Sequence, residues 1–257
     1  MTAAQAREPA ADASAPAPTG RHRSGFSVRQ AASAVRAQWR EVAGALAFRY
    51  AAYGVMTALA LWAEGRPAPT LPDRVLEHLP YLAVADRLNY LAWLAVYLPL
   101  AAALLLTDVR RWVRYMVTGA YVSLVRGLTI ALTGLGAPDP AHAGLGAGSG
   151  DFGAAFLELM SPLGVFQRGA IAAHLTKDLF FSGHAATTFL LLLYLRDRPF
   201  LRLVALAGHL AVVASVLLAH IHYAIDVVGA WAVTFCLYAL REGWPSPGGH
   251  PKAGDRC

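Results

Sequence analysis

Two polar motifs interrupt the apolar C-terminal half of this chain: Phe180-Phe181-Ser182-Gly183-His184 and His220-Ile221-His222-Tyr223-Ala224-Ile225-Asp226. The residues between the two motifs are mostly apolar. A polar group in hydrocarbon is costly unless it is paired or hydrated, so polar side chains in such a sequence usually mark a functional site. We therefore expect His184, His222 and Asp226 to share one site.

The composition indicates a membrane protein. The 257 residues are 56% hydrophobic and 15% charged, and their mean hydropathy is +0.43, which argues against an ordinary soluble domain. A bilayer core requires about 20 apolar residues per helix. Six segments are candidates, the fourth being the shortest: Val42–Ala63, Leu88–Thr107, Trp112–Gly136, Leu179–Leu195, Leu201–Ala219 and His222–Leu240. The sequence predicts an all-α, polytopic membrane protein with a six-transmembrane helical bundle.

The formal charge of +6 follows the predicted topology. Arginines cluster before the first span, between the second and third spans, and between the fourth and fifth spans, namely Arg21, Arg23, Arg29, Arg36, Arg40, Arg110, Arg111, Arg114, Arg196, Arg198 and Arg202. By the positive-inside rule these regions and both termini are cytoplasmic. The loops Glu64–Arg87 and Ala137–Asp178 then face outward. The charge needs no nucleic-acid partner to explain it.

The two ends of the chain differ from its middle. Met1 to about Gly25 is rich in Ala, Pro, Arg and Ser, which predicts disorder. From Phe26 to Val42, apolar residues alternate with arginines, so residues 1–40 end in a basic amphipathic helix on the inner membrane surface or in a solvated linker. Residues 41–241 form one membrane domain, and residues 242–257 form a disordered cytoplasmic tail. Cys236 and Cys257 imply no disulfide framework.

Arg126 lies far from either end of the third span and shares a helix face with Thr129 and Thr133. An intramembrane arginine should face the bundle interior or a hydrated cavity. It either contacts substrate phosphate directly or packs against backbone carbonyls or a carboxylate such as Asp86. Arg49, near the cytoplasmic end of the first span, is interpreted as structural, with its side chain reaching the interface.

The loop Ala137–Asp178 is too long for a passive connector. Its Gly-rich stretch, residues 144–150, suggests a mobile lip around a site. Phe152–Phe166 is apolar but is interrupted by Glu158 and Pro162, so we predict an interfacial or re-entrant segment. His142 and His174 in this loop are expected to be solvated.

The predicted topology brings the two motif histidines to one membrane face. The fourth and sixth spans both enter from outside, with His184 about five residues into the fourth and His222 at the start of the sixth. At 1.5 Å per residue, both imidazoles should lie within about 8 Å of the outer boundary.

These residue types suit phosphoryl transfer. His222 and Asp226 are four residues apart, on one face of a helix, where a carboxylate fixes the imidazole tautomer. Ser182-Gly183-His184 forms a tight entry into a helix, where backbone N–H groups favour anions. A covalent phosphohistidine requires one imidazole to attack phosphorus and another to act as acid and base. The two motifs supply this set.

A metal site is the alternative for the same residues, because His184, His220, His222 and Asp226 include acceptable zinc or iron ligands. A helical His-X-His pair turns its rings roughly 200° apart, so both rings are unsuited to one ion. We therefore expect no metal and no cofactor. His209, deep in the fifth span, is interpreted as a hydrogen-bonded packing residue.

Several motifs in order resemble the sphingomyelin synthase family, lipid headgroup transferases related to the type 2 phosphatidic acid phosphatases. The core of the resemblance is Asp178-Leu179-Phe180-Phe181-Ser182-Gly183-His184 together with His222-Tyr223-Ala224-Ile225-Asp226-Val227. Two weaker motifs agree in order and spacing: Leu71-Pro72-Asp73, and Arg110-Arg111 followed by Tyr121, Arg126, Thr129 and Thr133. The resemblance extends from about Arg66 to Ala230 and includes the six-span arrangement.

The resemblance implies that His222 is the nucleophile on a phosphodiester, Asp226 its orienting carboxylate and His184 the acid and base. It implies transfer of phosphocholine or phosphoethanolamine from a glycerophospholipid to the primary hydroxyl of ceramide, leaving diacylglycerol. Thr176-Lys177 replaces the family's Cys-Gly and Ala224 its usual Thr, so the headgroup and the acceptor stay open. We assign five residues to substrate binding: Asp178, Arg126, Ser182, Gly183 and Lys177.

Three functions follow. The leading hypothesis is a transferase that moves a phospholipid headgroup onto a ceramide-like or other lipid alcohol, with membrane lipids as partners. The alternative is a phosphohydrolase of the related phosphatase type, although this chain lacks that type's Lys/Arg-Pro motif and has Val216 where an Arg precedes the second histidine. The third is a catalytically silent protein that binds or moves lipid. The sequence leaves the oligomeric state open.

Overall fold

The computed structural model describes residues 28–139, 152–161 and 175–243. In these ranges the chain forms α-helices and one short 3₁₀ helix, Leu76–His78, and no β-strand. The α-helices in chain order are α1 Val28–Ala37, α2 Trp39–Glu64, α3 Ala83–Thr107, α4 Val109–Thr133, α5 Phe152–Met160, α6 Gly183–Tyr194, α7 Pro199–Leu218 and α8 Ala224–Glu242. The all-α fold class is confirmed for the described residues.

Among the described residues, five helices are long and apolar enough to cross a membrane: α2, α3, α4, α7 and α8. The predicted fourth span, Leu179–Leu195, differs, because its helix α6 has only 12 residues and begins at Gly183. The residues Leu179–Ser182 are irregular. The structure supports a polytopic, helical membrane protein, and the count of six spans is not confirmed.

The short helix α6 lies in the middle of the bundle. It packs against α3, α4, α7 and α8, and its residues Ala185, Leu190 and Leu191 are fully or almost fully buried. A helix surrounded by protein needs less length than one that faces lipid, because its irregular ends can be satisfied by neighbouring side chains. Its central position is therefore compatible with its length of 12 residues.

The outer surface of the bundle is apolar. Many large hydrophobic side chains on the long helices are more than half exposed, including Leu98, Leu128, Leu132, Phe200, Leu203 and Leu210. An apolar surface of this extent is atypical of a soluble monomer and is expected where helices contact lipid. The exposed residues thus agree with the membrane assignment from composition.

The bundle has two chemically distinct ends. At one end, which we call the basic end, Arg111 pairs with Asp197 at 3.0 Å and Arg114 with Glu242 at 3.5 Å. At the other end, the connections that precede α3 and α8 meet. We call it the histidine end, because His220 and His222 lie there. The predicted clusters of arginine between spans do gather at one end. That this end faces the cytoplasm stays a prediction.

Arg49 on α2 has structural partners, as predicted, and they lie on α4. Its Nη1 donates hydrogen bonds to the carbonyl oxygen of Gly119 and, at 2.6 Å, to Oγ of Ser123 on α4. A Cβ atom at Gly119 would lie 3.2 Å from Cζ of Arg49, so a side chain there would crowd the guanidinium. Partners on the adjacent helix replace water, and Arg49 joins α2 to α4.

The described part of the segment Phe152–Phe166 is the helix α5, which packs against α2. Tyr50 donates to the carbonyl oxygen of Met160 at 2.8 Å, and the Met160 side chain covers Gly54. Gly54 lies ten residues before the end of α2, which is about 15 Å along the helix. The interfacial or re-entrant position of this segment stays a prediction.

Other predictions fall partly or wholly outside the described residues. The predicted disorder of the N-terminal residues, the Gly-rich stretch 144–150, His142, His174 and almost all of the C-terminal tail lie outside the described residues. Within the predicted amphipathic segment the structure describes the helix α1, with Arg29 and Arg36 on it. Its location on a membrane surface stays a prediction.

Candidate active site

The irregular segment before α6 obtains donors for its carbonyl groups from α4. Arg126 donates through Nε to the oxygen of Phe181 at 2.7 Å and through Nη2 to the oxygen of Asp178 at 3.1 Å. Thr129 donates to the oxygen of Phe180 at 2.8 Å. Irregular backbone at membrane depth persists only where protein groups or a water-filled cavity satisfy it. Arg126 and Thr129 therefore fix the entry into α6.

Asp226 on α8 accepts hydrogen bonds from the same segment. Its Oδ1 accepts from the backbone nitrogen of Phe180 at 3.2 Å, and its carbonyl oxygen accepts from that of Ser182 at 3.1 Å. Its Oδ2 accepts from the backbone nitrogen of Tyr223 at 2.9 Å and from Nδ1 of His222 at 3.2 Å. An ionised carboxylate is an acceptor only, and this one, with no exposed surface, is surrounded by donors.

The contact between His222 and Asp226 has a different origin from the one predicted. His222 lies before α8, whose N-cap is Tyr223, and Asp226 is the third residue of the helix. The Asp226 side chain turns back over the helix start, as the third residue of a capping box does. The two residues therefore meet across a helix terminus and do not share the face of a helix.

Ser182 and Gly183 shape the start of α6. Ser182 is the N-cap and its Oγ accepts from the backbone nitrogen of Ala185 at 3.4 Å. A Cβ atom on Gly183 would lie 3.1 Å from Nε of Arg126 and 3.2 Å from its Cζ. The helix entry expected from Ser182-Gly183-His184 is present, and Gly183 allows Arg126 to approach. Their assignment to substrate binding stays a prediction.

His184 is the second residue of α6 and lies within electrostatic range of both His222 and Arg126. The edge of its ring meets Trp93 of α3, with 5.3 Å between ring centroids, and Tyr90 at 6.4 Å. The structure thus brings both motif histidines and Asp226 together at the histidine end. Their catalytic roles stay predictions.

Arg126 is buried, and the carboxylate that pairs with it is Asp178 and not Asp86. Its Nη2 lies 2.9 Å from Oδ1 of Asp178, and its Nη1 contacts the sulfur of Met56 at 3.2 Å. Asp86 instead accepts from the hydroxyl of Tyr81 at 3.2 Å. The guanidinium therefore organises the site, and direct contact of Arg126 or Asp178 with substrate stays a prediction.

Lys177, predicted to bind substrate, contacts the C-terminal end of α2. Its Nζ donates to the carbonyl oxygen of Glu64 at 2.7 Å and to that of Arg66. The carboxylate of Glu64 in turn accepts from the backbone nitrogens of Thr176 and Lys177. This exchange anchors the segment that leads to Asp178. Sequence reasoning missed Glu64, whose partners lie more than 100 residues further along the chain.

Asp73 is a second residue whose role the sequence did not reveal. Its Oδ2 accepts from the backbone nitrogen of Ala224, the first residue of α8, at 2.6 Å. The hydroxyl of Tyr223 accepts from the nitrogen of Leu71 at 3.0 Å and donates to the oxygen of Gly136 at 2.9 Å. The loop between α2 and α3 therefore holds the start of the helix that carries Asp226. The Leu71-Pro72-Asp73 motif was the one sequence feature that marked Asp73.

His220 and His222 have different partners. His220 lies in the turn between α7 and α8 with a left-handed backbone, φ 51°, and its Nε2 is 3.2 Å from the oxygen of Leu79. Its Nδ1 is 4.0 Å from Asp139. The described ranges contain no group of three or more His, Cys, Asp and Glu side chains placed to hold a metal ion. His209 is hydrogen-bonded through both ring nitrogens, as predicted.

Residues 177–242 match the family model described as PAP2 superfamily C-terminal. The match begins just before α6, ends with α8, and includes His184, His222 and Asp226. Members of this superfamily are phosphatases and phosphotransferases that act on lipids, which supports an enzymatic function. The match supports a relationship to this superfamily and does not assign the chain to the sphingomyelin synthase family within it. No curated protein matches the chain.

Proposed function

We propose that this protein is an integral membrane phosphotransferase that moves a phospholipid headgroup onto a ceramide-like or other lipid alcohol. The donor is a glycerophospholipid with a phosphocholine or phosphoethanolamine headgroup, and the reaction passes through a phosphohistidine. The superfamily match over α6, α7 and α8 supports lipid phosphate chemistry. The resemblance of the two histidine motifs to headgroup transferases supports transfer over hydrolysis.

The observation that carries the proposal is the bond between His222 and Asp226. Nδ1 of His222 lies 3.2 Å from the buried carboxylate, so this nitrogen holds the ring proton and Nε2 has the lone pair. A carboxylate in this position orients the ring and stabilises the positive charge that develops on it. His222 is therefore prepared to act as a nucleophile through Nε2.

In the first half-reaction, Nε2 of His222 attacks the phosphorus of the donor. A P–N bond forms, the P–O bond to the diacylglycerol oxygen breaks, and His184, protonated when the anionic donor phosphate is bound beside it, gives its proton to that oxygen. Diacylglycerol leaves, and the headgroup phosphate stays on His222. Two separate imidazoles are needed because one cannot attack phosphorus and protonate the leaving group at the same time.

In the second half-reaction, the hydroxyl oxygen of the lipid alcohol attacks the phosphorus. Its proton passes to His184, the P–N bond breaks, and His222 regains its lone pair. The product is a new phosphodiester on the acceptor, and both histidines return to their starting protonation. The cycle consumes no energy-rich cofactor, because the headgroup comes from an existing diester.

A phosphohydrolase is the second candidate, and the superfamily match favours it as well. Water in place of the lipid alcohol resolves the same phosphohistidine. A donor with a terminal phosphate would then release inorganic phosphate. The two candidates use the same three residues and differ in their products.

We place the histidine end on the extracytoplasmic side, facing periplasm, lumen or exterior, and both termini in the cytoplasm. The support is the gathering of arginines at the basic end. In a Cys236→Ser variant, a membrane-impermeant maleimide should label Cys257 only after the cells are opened. Labelling of intact cells would reverse the orientation.

The test of function uses purified protein in detergent with a fluorescent ceramide and a mixture of phosphatidylcholine and phosphatidylethanolamine. Lipids are analysed by mass spectrometry, and free phosphate is assayed in parallel with a phosphatidic acid substrate. A ceramide-linked phosphodiester that disappears in His222→Ala and His184→Ala would support the transferase and identify its headgroup. Free phosphate without a new diester would favour the phosphohydrolase. Lipid binding without turnover in the wild type would favour a silent lipid-binding protein.

A further inference from the structure

A polar chain outside the candidate site connects α8, α7 and α6. Trp231 donates from Nε1 to Nε2 of His209 at 2.8 Å, and Nδ1 of His209 lies 2.8 Å from Oγ1 of Thr188. Thr188 donates to the carbonyl oxygen of His184 at 2.9 Å. Trp231 is 36% exposed, whereas His209 and Thr188 are 3% and 1% exposed, so the chain is buried from His209 onward.

The donors and acceptors in this chain can be assigned from chemistry. An indole nitrogen only donates, so Nε2 of His209 must accept and the neutral ring carries its proton on Nδ1. Thr188 accepts that proton in a hydrogen bond and is left with its own hydroxyl proton to donate. That proton points to the carbonyl of His184. Each group, from the indole of Trp231 to the backbone carbonyl of His184, therefore has one consistent role as hydrogen-bond donor or acceptor.

A parallel chain reaches the same helical turn from α3. Trp93 donates from Nε1 to Oγ1 of Thr187 at 2.8 Å. Thr187 donates to the carbonyl oxygen of Gly183 at 2.8 Å, with the oxygen of His184 at 3.2 Å. The ring of Trp93 also meets the His184 ring. Both hydroxyls donate to a carbonyl one turn earlier in α6, and their bonds to Trp93 and His209 connect this turn to α3 and α7.

Packing alone does not require this arrangement. Hydroxyl and imidazole groups buried at membrane depth add a desolvation cost unless all are paired, and an apolar side chain would fill the same space without it. Side-chain networks of this kind specify one arrangement of the groups they join. Here the group at the end of the network is the backbone of His184, on a helix of only 12 residues.

We propose that His209 is a positioning residue that, in its neutral Nδ1–H form, acts through Thr188 to place His184 opposite His222. This rests on the proposed function, because it assumes that His184 exchanges protons with the reacting lipids. A small displacement of an acid and base group lowers turnover strongly while substrate binding is little changed. The effect should therefore appear in kcat and leave KM near its wild-type value.

The kinetic test compares His209→Phe and Thr188→Val with His209→Gln. We expect His209→Phe and Thr188→Val each to lower kcat by about 10- to 100-fold. His209→Gln, which keeps one donor and one acceptor, should restore most of the rate. The double variant His209→Phe/Thr188→Val should be no slower than the slower of its two single variants, because both changes break the same chain. Additive losses or a wild-type kcat in His209→Phe would overturn the proposal.

Thr234→Val is the matched control for Thr188→Val. Thr234 is also a fully buried threonine of the bundle, and among the described residues its hydroxyl has no hydrogen-bond partner. Its replacement removes the same atoms from a helix interior without breaking a chain, so kcat should stay at the wild-type value. A loss equal to that of Thr188→Val would show a general packing effect and would overturn the positioning role.

A second readout does not depend on turnover. In protein labelled with ¹⁵N-histidine, the ring signals of His209 should show a protonated Nδ1 and an unprotonated Nε2. The ring signals of His184 should shift in Thr188→Val and not in Thr234→Val. The opposite tautomer, or an unchanged His184, would overturn the inference. If the wild type transfers and hydrolyses nothing, the proposed function fails while these spectra still test the positioning.

Discussion

The two ends of the bundle use charged side chains in different ways. At the histidine end, Asp226 is fully buried and its carboxylate accepts hydrogen bonds from three protein donors. At the basic end, the Asp197 side chain is 55% exposed and pairs with Arg111 and Arg196. One carboxylate fixes the backbone of two helix entries, whereas the other takes part in ion pairs that water and salt screen.

This difference indicates which end of the bundle is more sensitive to substitution. Removing the acceptor from a buried network leaves its donors unsatisfied, which costs about 1–3 kcal/mol for each donor. Breaking an exposed ion pair costs at most about 1 kcal/mol, because water replaces the lost partner. We therefore expect sensitivity to decrease from the histidine end to the basic end.

Asp226→Asn should have the largest effect. The carboxylate accepts from Phe180 on one oxygen and from Tyr223 and His222 on the other. An amide has one oxygen and one NH₂, so in either orientation the NH₂ faces a donor. The orienting charge on the His222 ring is lost as well. We expect turnover in the lipid assay to fall by about 10²- to 10⁴-fold.

The same variant has a structural readout. Because Asp226 also joins the entry of α6 to that of α8, the melting temperature of Asp226→Asn in detergent should fall together with its turnover. His222→Asn removes the nucleophile while leaving Asp226 with its bonds to Phe180 and Tyr223, and it should melt closer to the wild type. Full turnover in Asp226→Asn would remove this carboxylate from the mechanism.

Gly183→Ala should have the next largest effect. Its new Cβ would lie 3.1 Å from Nε of Arg126, which is held by its bonds to Phe181 and Asp178 and cannot move away freely. We expect a loss of about 1–3 kcal/mol in unfolding free energy, with reduced turnover. Gly44→Ala on α2 is the control, because no atom lies within 4 Å of its new Cβ. Equal stability of the two variants would contradict a closely packed histidine end.

Asp73→Ala tests the connection that holds α8 from outside the superfamily match. It removes the acceptor for the backbone nitrogens of Ala224, Val75 and Leu76. Loss of a helix cap typically costs about 1 kcal/mol, so we expect a modest decrease in melting temperature. Glu77→Gln, in the same loop but at a half-exposed ion pair, is the control and should melt as the wild type does. If Asp73→Ala melted at the wild-type temperature, contacts other than Asp73 would hold the start of α8.

The sequence predicts those features whose signals are local. Long apolar runs locate the helices α2, α3, α4, α7 and α8, because a bilayer imposes a minimum length on each. His184, His222 and Asp226 stand out for the same reason, since polar groups are rare in such runs. Charge clusters between spans then place both histidine motifs at one end, where the structure has them.

The features that the sequence does not predict depend on distant partners. Leu179–Ser182 reads as the start of an apolar span, but its backbone is irregular because Arg126, Thr129 and Asp226 supply its hydrogen bonds. Asp73 and Ala224 are separated by 151 positions, as their bond shows. No local pattern marks either partner. The acceptors of Arg49 were not predicted for a related reason, because they lie on another helix.

Asp197→Asn should have the smallest effect and is the counterpart of Asp226→Asn at the basic end. The side chain lies 3.0 Å from Arg111 and 3.5 Å from Arg196, but it is more than half exposed, so water solvates both arginines when the charge is removed. We expect less than about 1 kcal/mol in unfolding free energy and wild-type turnover. If Asp197→Asn lowered turnover as much as Asp226→Asn, the two ends would be coupled through α6, and exposure would no longer explain their difference.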